Sequence, residues 1–497
     1  MSAPAAAQQD DERAASPTGD DSGAGSGSAL VAPKDRKVRP AWLQARLAAA
    51  IAAQPKLARA RIAIAVVDLS TGAELFARDA DVAQNLASNA KLFTSVAALA
   101  TLGGGFRWHT AVYADALDDA TGAVAGDLYV RGRGDPTLSE KHLQDLADDV
   151  VARGVRTVSG RLVVDASYFD GELDPPHYDE QPNERAGFRA PVAAFGVARG
   201  TVTLTVVPEP GGSAKVRLDP QSDAVRLGKT EVTTVSDAAT RIAIDAKPKR
   251  DHLELSVRGQ IRVRDGSYER RFRVDDPARV AADVLRKLLV DRGVKIAARG
   301  NATGTVPERA VLVATHDSAP LALVVREMDK QSDNYIAESV LKTLGAETRA
   351  SPGPATWADG TAAVRAYLAT IGIANVRADN GSGLFGASAA SARQLVAVLR
   401  AAHADYRVGP DLVAALPVGG VDGTLAKRWH GHAAAGRVRA KTGTLDKVIT
   451  LAGYAGWGGD RVLAFAVLVD DIPAGQRAAA RALGDVVVDA LVAYLEP

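Results

Sequence analysis

The stretch ASNAKLFTSV at 87–96 holds two side chains suited to act as nucleophile and base. Ser88 and Lys91 stand three residues apart, which on a helix sets their Cβ atoms roughly 5–6 Å from each other on one face. A serine hydroxyl attacks poorly until a neighbour takes its proton. A lysine does that once burial or a nearby cation lowers its pKa towards neutrality. Backbone N–H groups at a helix start would also support negative charge developing nearby. The competing reading is an N-cap serine followed by an exposed lysine, and S-x-x-K alone does not decide between them.

Two later stretches carry further chemistry. Ser332-Asp333-Asn334, inside MDKQSDNYIAE, sets three poor helix formers between two apolar helical runs, which predicts a loop or helix junction. Ser332 would relay a proton between base and leaving group, and Asn334 would hold a substrate amide or orient the lysine. An ordinary turn is the alternative. Lys441-Thr442-Gly443-Thr444, ending GRVRAKTGTL, puts a cation and two hydroxyls on one strand and so makes a carboxylate site. Gly443, lacking Cβ, would let a ligand backbone approach the strand edge, and the N–H of Thr444 would aim at an oxyanion. An exposed turn between two strands is the alternative here. Taken together and in this order, the three motifs are the signature set of serine β-lactamases and penicillin-binding proteins.

The elements that must position them follow from pattern. AWLQARLAAAIAA, from Pro40, reads as an amphipathic helix, and ARIAIAVVDL and AELFARDA as a β-hairpin around STG. The helix carrying Ser88 should end near Gly103. From about 110 to 315 short β-like runs alternate with turns, interrupted by one clear helix at 275–293, which predicts one or two β-rich inserted domains. Helical texture returns after 316, followed by three strand-like runs and a closing helix.

Composition narrows the function class. Sixty basic against fifty-nine acidic residues in a chain of 497 suggest no nucleic-acid or membrane-surface partner. The absence of cysteine removes disulfides, thiolate metal sites and cysteine nucleophiles. No run approaches the 18 or so apolar residues of a spanning helix. Residues 1–40, rich in Gly and Ser, read as a disordered segment without the apolar core of a secretory signal, so an exported form would carry its signal outside this chain.

Around the motifs stand GDLYVRGRGDPTLS (126–139), SGRLVVDASYFDGE (159–172), DNGSGL (379–384) and LPVGGVDGTLAKR (416–428). With them the chain resembles, from about residue 40 onwards, the D-alanyl-D-alanine carboxypeptidase/endopeptidase family, the class C low-molecular-mass penicillin-binding proteins. The long separation of Ser88 from Ser332 is part of that resemblance, since this family inserts two β-rich domains there. The resemblance implies an α/β (α+β) fold, with a β-lactamase/DD-transpeptidase-like domain at 41–108 and 316–497 whose central antiparallel sheet is flanked by helices. An inserted domain would span 109–190 and 272–315, with a third nested at 191–271.

The resemblance also implies roles. Ser88 would attack the penultimate D-alanine carbonyl of a peptidoglycan stem peptide and form an acyl-enzyme. Lys91 would be the base, Ser332 and Lys441 would pass the proton on, and Asn334 would contact the substrate amide. The N–H groups of Ser88 and Thr444 would form the oxyanion hole, and Lys441, Thr442, Gly443 and Thr444 would make the carboxylate site. β-Lactams would acylate the same serine, no metal or cofactor would be needed, and the location would be periplasmic or otherwise extracytoplasmic. Two stretches depart from the family pattern, Phe385-Gly386 for Ser-Arg and Phe188-Arg189 for Tyr-Gly, and both bear on side-chain specificity. Two rivals remain at this point: a serine β-lactamase, although 362–378 lacks the acidic residue a class A enzyme uses for deacylation, and a non-catalytic peptidoglycan-binding scaffold of the same fold.

Overall fold

The structure, a computed structural model, describes residues 30–458 and 461–496. Its centre is a five-stranded antiparallel sheet built from both ends of the chain. Strands β1 (Arg61–Asp68) and β2 (Glu74–Arg78) form the expected hairpin; β3 (Val438–Leu445), β4 (Val448–Gly458) and β5 (Arg461–Asp470) follow, in the order β2-β1-β5-β4-β3. Strand β1 is buried on both faces, and its alternation sorts large from small. Ile62, Ile64 and Val66 join the core beneath helices α1 (Arg39–Ala52) and α7 (Arg477–Leu495), while Ala63, Ala65 and Val67 face the opposite core. The alanine face lets helices come close to the sheet.

That opposite layer carries the chemistry. It holds α2 (Lys91–Leu102), α3 (Leu321–Gln331), α4 (Asn334–Thr348), α5 (Trp357–Thr370) and α6 (Ala392–Ala404). Nine consecutive residues of α2, Lys91 to Leu99, are buried, among them the polar Lys91, Thr94 and Ser95, which share one face at helical spacing. Of the segment expected to be disordered, 1–29 lies outside the described residues. Residues 30–40 run into α1, with Ala32 buried and the buried Arg39 donating to the carbonyls of Pro33 (2.7 Å) and Tyr494 (2.9 Å).

The chain leaves this layer at Trp108 and returns at Ser318, where two hydrogen bonds of 3.0 Å clasp the crossing: Ser318 N–H donates to the Trp108 carbonyl, and Trp108 N–H donates to Ser318 Oγ. Between them lies a five-stranded sheet whose outgoing strand His109–Ala114 pairs with the returning Val311–Asp317. The helix expected at 275–293 spans Pro277–Asp291 and packs against this region's core, its N-cap Asp276 accepting from the Arg279 N–H at 2.9 Å. Two three-stranded sheets follow within 201–273. Their apolar residues, among them Val202, Leu204, Leu255 and Ile261, join Val112, Leu128 and Leu285 in one continuous cluster.

Helix α4 lies against α5 through a glycine crossing. A Cβ on Gly360 would stand 2.4 Å from the Leu341 carbonyl oxygen, and one on Gly345 would stand 2.6 Å from the Gly360 nitrogen. Gly360→Ala should therefore push α5 from α4 and destabilise the fold by about 1–3 kcal/mol, the usual cost of overpacking. Thermal unfolding would read this as a midpoint lowered by several degrees, and an unchanged midpoint would contradict it.

Candidate active site

Ser88 does not cap a helix. It sits half-buried on a 3-10 turn, Ala87–Ala90, that feeds directly into α2, and the N-cap position of α2 is Ala90, without a side-chain cap. The preceding Ala87 is held at φ 45, a left-handed conformation that costs an alanine about 1–3 kcal/mol and that the packed surroundings must impose. The hydroxyl thus turns away from the backbone and meets Lys91, whose Nζ lies 3.1 Å from Ser88 Oγ. Lys91 is fully buried because α2 is. Its Nζ also donates to Asn334 Oδ1 at 2.8 Å and to the Ser382 carbonyl at 3.0 Å.

The S-D-N stretch is the predicted helix junction. Ser332 takes φ 56 and stops α3; Asp333 then caps α4 by accepting from the Ile336 N–H at 3.0 Å, and Asn334 opens α4. One residue per task gives a sharp corner that points Ser332 and Asn334 into the same cleft. Strand β3 forms the facing wall and is an edge of the sheet. Lys441 on β3 is fully buried, and its Nζ lies 2.8 Å from Ser332 Oγ and 2.9 Å from the Thr442 carbonyl. Ala440 N–H donates outwards to the Pro417 carbonyl at 3.0 Å, so strand alternation turns the N–H groups of Thr442 and Thr444 to the same open edge. Thr442 Oγ1 donates to Thr424 Oγ1 at 2.8 Å.

The electrostatics favour a neutral amine at Lys91. Burial, helped by the positive charge of Lys441, lowers its pKa to about 7, against the opposing pull of Glu338, Asp329 and Asp333. Asp329 is itself pushed up to about 6 by burial; its Oδ2 accepts from Ser95 Oγ at 2.7 Å, and Oδ1 has no hydrogen-bond partner among the described residues. Glu338, also raised by burial, accepts from the N–H groups of Gly381 (2.8 Å) and Ser382 (2.9 Å), which fixes the carbonyl that Lys91 meets.

This constellation can be set beside known proteins. The D-Ala-D-Ala carboxypeptidase 3 (S13) family model matches residues 43–491. The chain belongs to that family. A D-alanyl-D-alanine carboxypeptidase of an Actinomadura species is 34% identical over 440 residues, covering 84% of this chain and 79% of the relative. The DacB carboxypeptidase of Haemophilus influenzae is 28% identical over 381 residues, covering 74% of this chain and 76% of the relative. The solved penicillin-binding protein 4 of Haemophilus influenzae shares the fold, with a TM-score of 0.71 at 23% identity over 86% of this chain and 94% of that one; the same protein has also been solved with a β-lactam.

Within this S13 chain, the eight residues singled out from sequence lie on three adjoining segments: the Ser88 turn running into α2, the α3–α4 corner and β3. Gly443 serves a different end from the one expected. A Cβ there would meet Thr450 Oγ1 at 2.2 Å and the Leu86 carbonyl at 2.9 Å, so its missing side chain lets β3 close onto the Ser88 turn rather than onto a ligand. Sequence reasoning passed over Ser382, Glu338 and Asp329. All three lie in quoted stretches, Ser382 in DNGSGL and both acids in MDKQSDNYIAE, where an acid among buried helical residues was the available signal.

Three outcomes follow from this site. A base must be neutral to act, so acylation by penicillin should rise with pH through about 7 and then level off. Asp329 raises the pKa of Lys91, so Asp329→Asn should move that midpoint to lower pH; a midpoint that stays put in stopped-flow acylation would show the two groups uncoupled. Glu338→Ala should free the Ser382 carbonyl and slow acylation on the order of 10–100-fold, the scale of small misplacements at a reacting centre.

Proposed function

We propose that the chain is a serine-type D-Ala-D-Ala carboxypeptidase/endopeptidase, a hydrolase that acts on peptidoglycan stem peptides through an acyl-enzyme. The observation that carries this reading is the buried Lys91 amine, poised near pH 7 and 3.1 Å from Ser88 Oγ. Ser88 Oγ attacks the penultimate D-alanine carbonyl while its proton passes to Lys91. The oxyanion sits between the N–H groups of Ser88 and Thr444. Collapse breaks the peptide bond, and the leaving amine takes its proton through Ser332, whose hydroxyl the Lys441 ammonium orients at 2.8 Å. Asn334 holds the substrate amide and Lys91 together, and Thr442 and Thr444 bind the terminal carboxylate beside Lys441. Water then cleaves the ester and frees Ser88. β-Lactams acylate the same oxygen.

The same reading divides the chain into a catalytic domain at 41–108 and 316–497, an inserted domain at 109–190 and 272–315, and a nested one at 191–271. The clasp between Trp108 and Ser318 supports the first boundary. Its substrate places the protein outside the cytoplasm. Among the described residues no helix is long and apolar enough to cross a membrane.

Incubation with pentapeptide and with cross-linked dimer muropeptides, read by mass spectrometry, tests the proposal. D-Alanine release or dimer cleavage is expected, and rapid turnover of a chromogenic cephalosporin in their place would point to a β-lactamase. Ser88→Ala should abolish penicillin labelling and lower peptidase activity by at least about 10³-fold, as loss of an attacking oxygen does. Lys91→Ala should slow acylation steeply with the thermal midpoint retained.

A further inference from the structure

The end of β3 away from Thr444 borders a cavity of about 550 Å³. Its walls come from the start of β3, the end of β4, α6 and the short helix Gly409–Ala415. The charge on them has one sign. Arg437 and Arg439 line the cavity with His403, and no carboxylate among the described residues does. The Arg437 guanidinium lies over the Trp457 ring, 3.2 Å from its centre, with neither an ion pair nor a side-chain hydrogen bond among the described residues. Arg439 donates once, to the Val413 carbonyl at 3.4 Å, and also lacks a carboxylate partner there. Asp405, the acid nearest His403 in sequence, is paired with Arg407 at 2.8 Å. Both lining arginines are half-buried. Two partly desolvated cations on one wall repel each other, a cost that a bound anion would remove.

The remaining lining says what kind of anion fits. A guanidinium stacked on an indole keeps its planar N–H edge for a bidentate partner, a carboxylate or a phosphate. Around it Trp457, Val413, Val462 and Ala435 offer apolar surface suited to methyl and methylene groups. The volume is that of a small-molecule site, far more than a bare ion needs.

Strand β3 relates this cavity to the catalytic residues. Arg439 precedes Lys441 by two residues, so both side chains leave the same face, and their cross-strand partners Tyr454 and Ala452 join one core. Arg437 stands four residues from Lys441, roughly 13 Å of strand. An extended pentapeptide stem spans roughly 17 Å. A polymer engaged at Ser88 therefore carries other stems, each with free carboxylates, on the length scale that separates the two places.

Resting on the proposed function, we propose that this cavity is a second, non-catalytic binding site for a peptidoglycan stem, whose free carboxylate Arg437 and Arg439 receive. It holds the polymer without taking part in acylation.

The test measures binding with the catalytic cleft filled. Wild type acylated by penicillin is titrated by calorimetry with a purified stem tripeptide and, separately, with inorganic phosphate. One saturable site for the tripeptide is expected. Its Kd should rise roughly tenfold or more in Arg437→Gln and in Arg439→Gln, and less in Arg437→Lys, which keeps the charge but loses the fork. Added salt should weaken wild-type binding. All three variants should cleave pentapeptide and take up penicillin within about twofold of wild type, which also shows them folded. The inference is overturned by no tripeptide binding to the acylated wild type, by binding that survives both glutamine substitutions, by binding of phosphate alone, or by a parallel loss of pentapeptide cleavage in the variants. A wild type that takes up no penicillin and cleaves no stem peptide would instead refute the proposed function itself.

Discussion

The molecule depends on sinking one amine. Lys91 begins a helix whose first nine residues are all buried, so the packing that buries α2 also strips water from Nζ. An unpaired ammonium there would cost several kcal/mol. A neutral amine with three well-placed polar neighbours does not; Ser88 is one turn away, and Asn334 and Ser382 come from two distant parts of the chain. Satisfying the lysine therefore forces the α3–α4 corner and the 379–384 loop onto the Ser88 turn. The requirement for a stable core and the requirement for a competent base are met by one convergence.

Charge balance around that amine is set by opposition rather than by a single partner. Lys441 and burial favour the neutral form, while Asp329 and Glu338 favour the ammonium. Both acids are themselves pushed upwards by burial, Asp329 to about 6, so the negative charge of Asp329 is available most fully at the upper end of the pH range in which Lys91 titrates. Protons in such a cluster belong to the set rather than to one residue. Glu338 has a mechanical part as well: its two bonds to the 381–382 backbone hold the loop whose carbonyl completes the lysine's shell.

Much of this was legible in the sequence, for reasons that can be named. Ser88 and Lys91 were readable because both lie within one turn, and Ser332-Asp333-Asn334 because residues that end and cap helices announce a corner. The hairpin and the last three strands were readable as apolar runs bounded by turns. What remained hidden depends on long-range meeting. No local pattern says that the Ser382 carbonyl will reach Lys91. Nor does it say that the space beside Gly443 will be filled by Thr450 and Leu86, or that sheets within 201–273 will share one apolar cluster with the strands around them.

The two departures from the family pattern are a case in point, because they touch. Arg189 is fully buried, and its guanidinium donates to the carbonyls of Tyr178, Gln181 and Glu184 while lying 5.0 Å from the centre of the Phe385 ring. Tyr178 packs edge-on against the same ring at 5.5 Å, and its hydroxyl stands 3.5 Å from Ser382 Oγ. The neighbouring Phe188 carbonyl accepts from Asn334 Nδ2 at 3.1 Å. Read separately, each change looked like a variation in what the cleft offers a substrate side chain. Read together, they form an internal brace: the arginine's two terminal nitrogens donate to backbone carbonyls and its guanidinium lies by an aromatic ring, an arrangement worth more when desolvated, while its buried Nε has no hydrogen-bond partner among the described residues. A cation so engaged is not presented to a substrate carboxylate. The Phe385 ring stays half-buried, and its left-handed backbone at φ 56 holds it in the loop that carries Ser382.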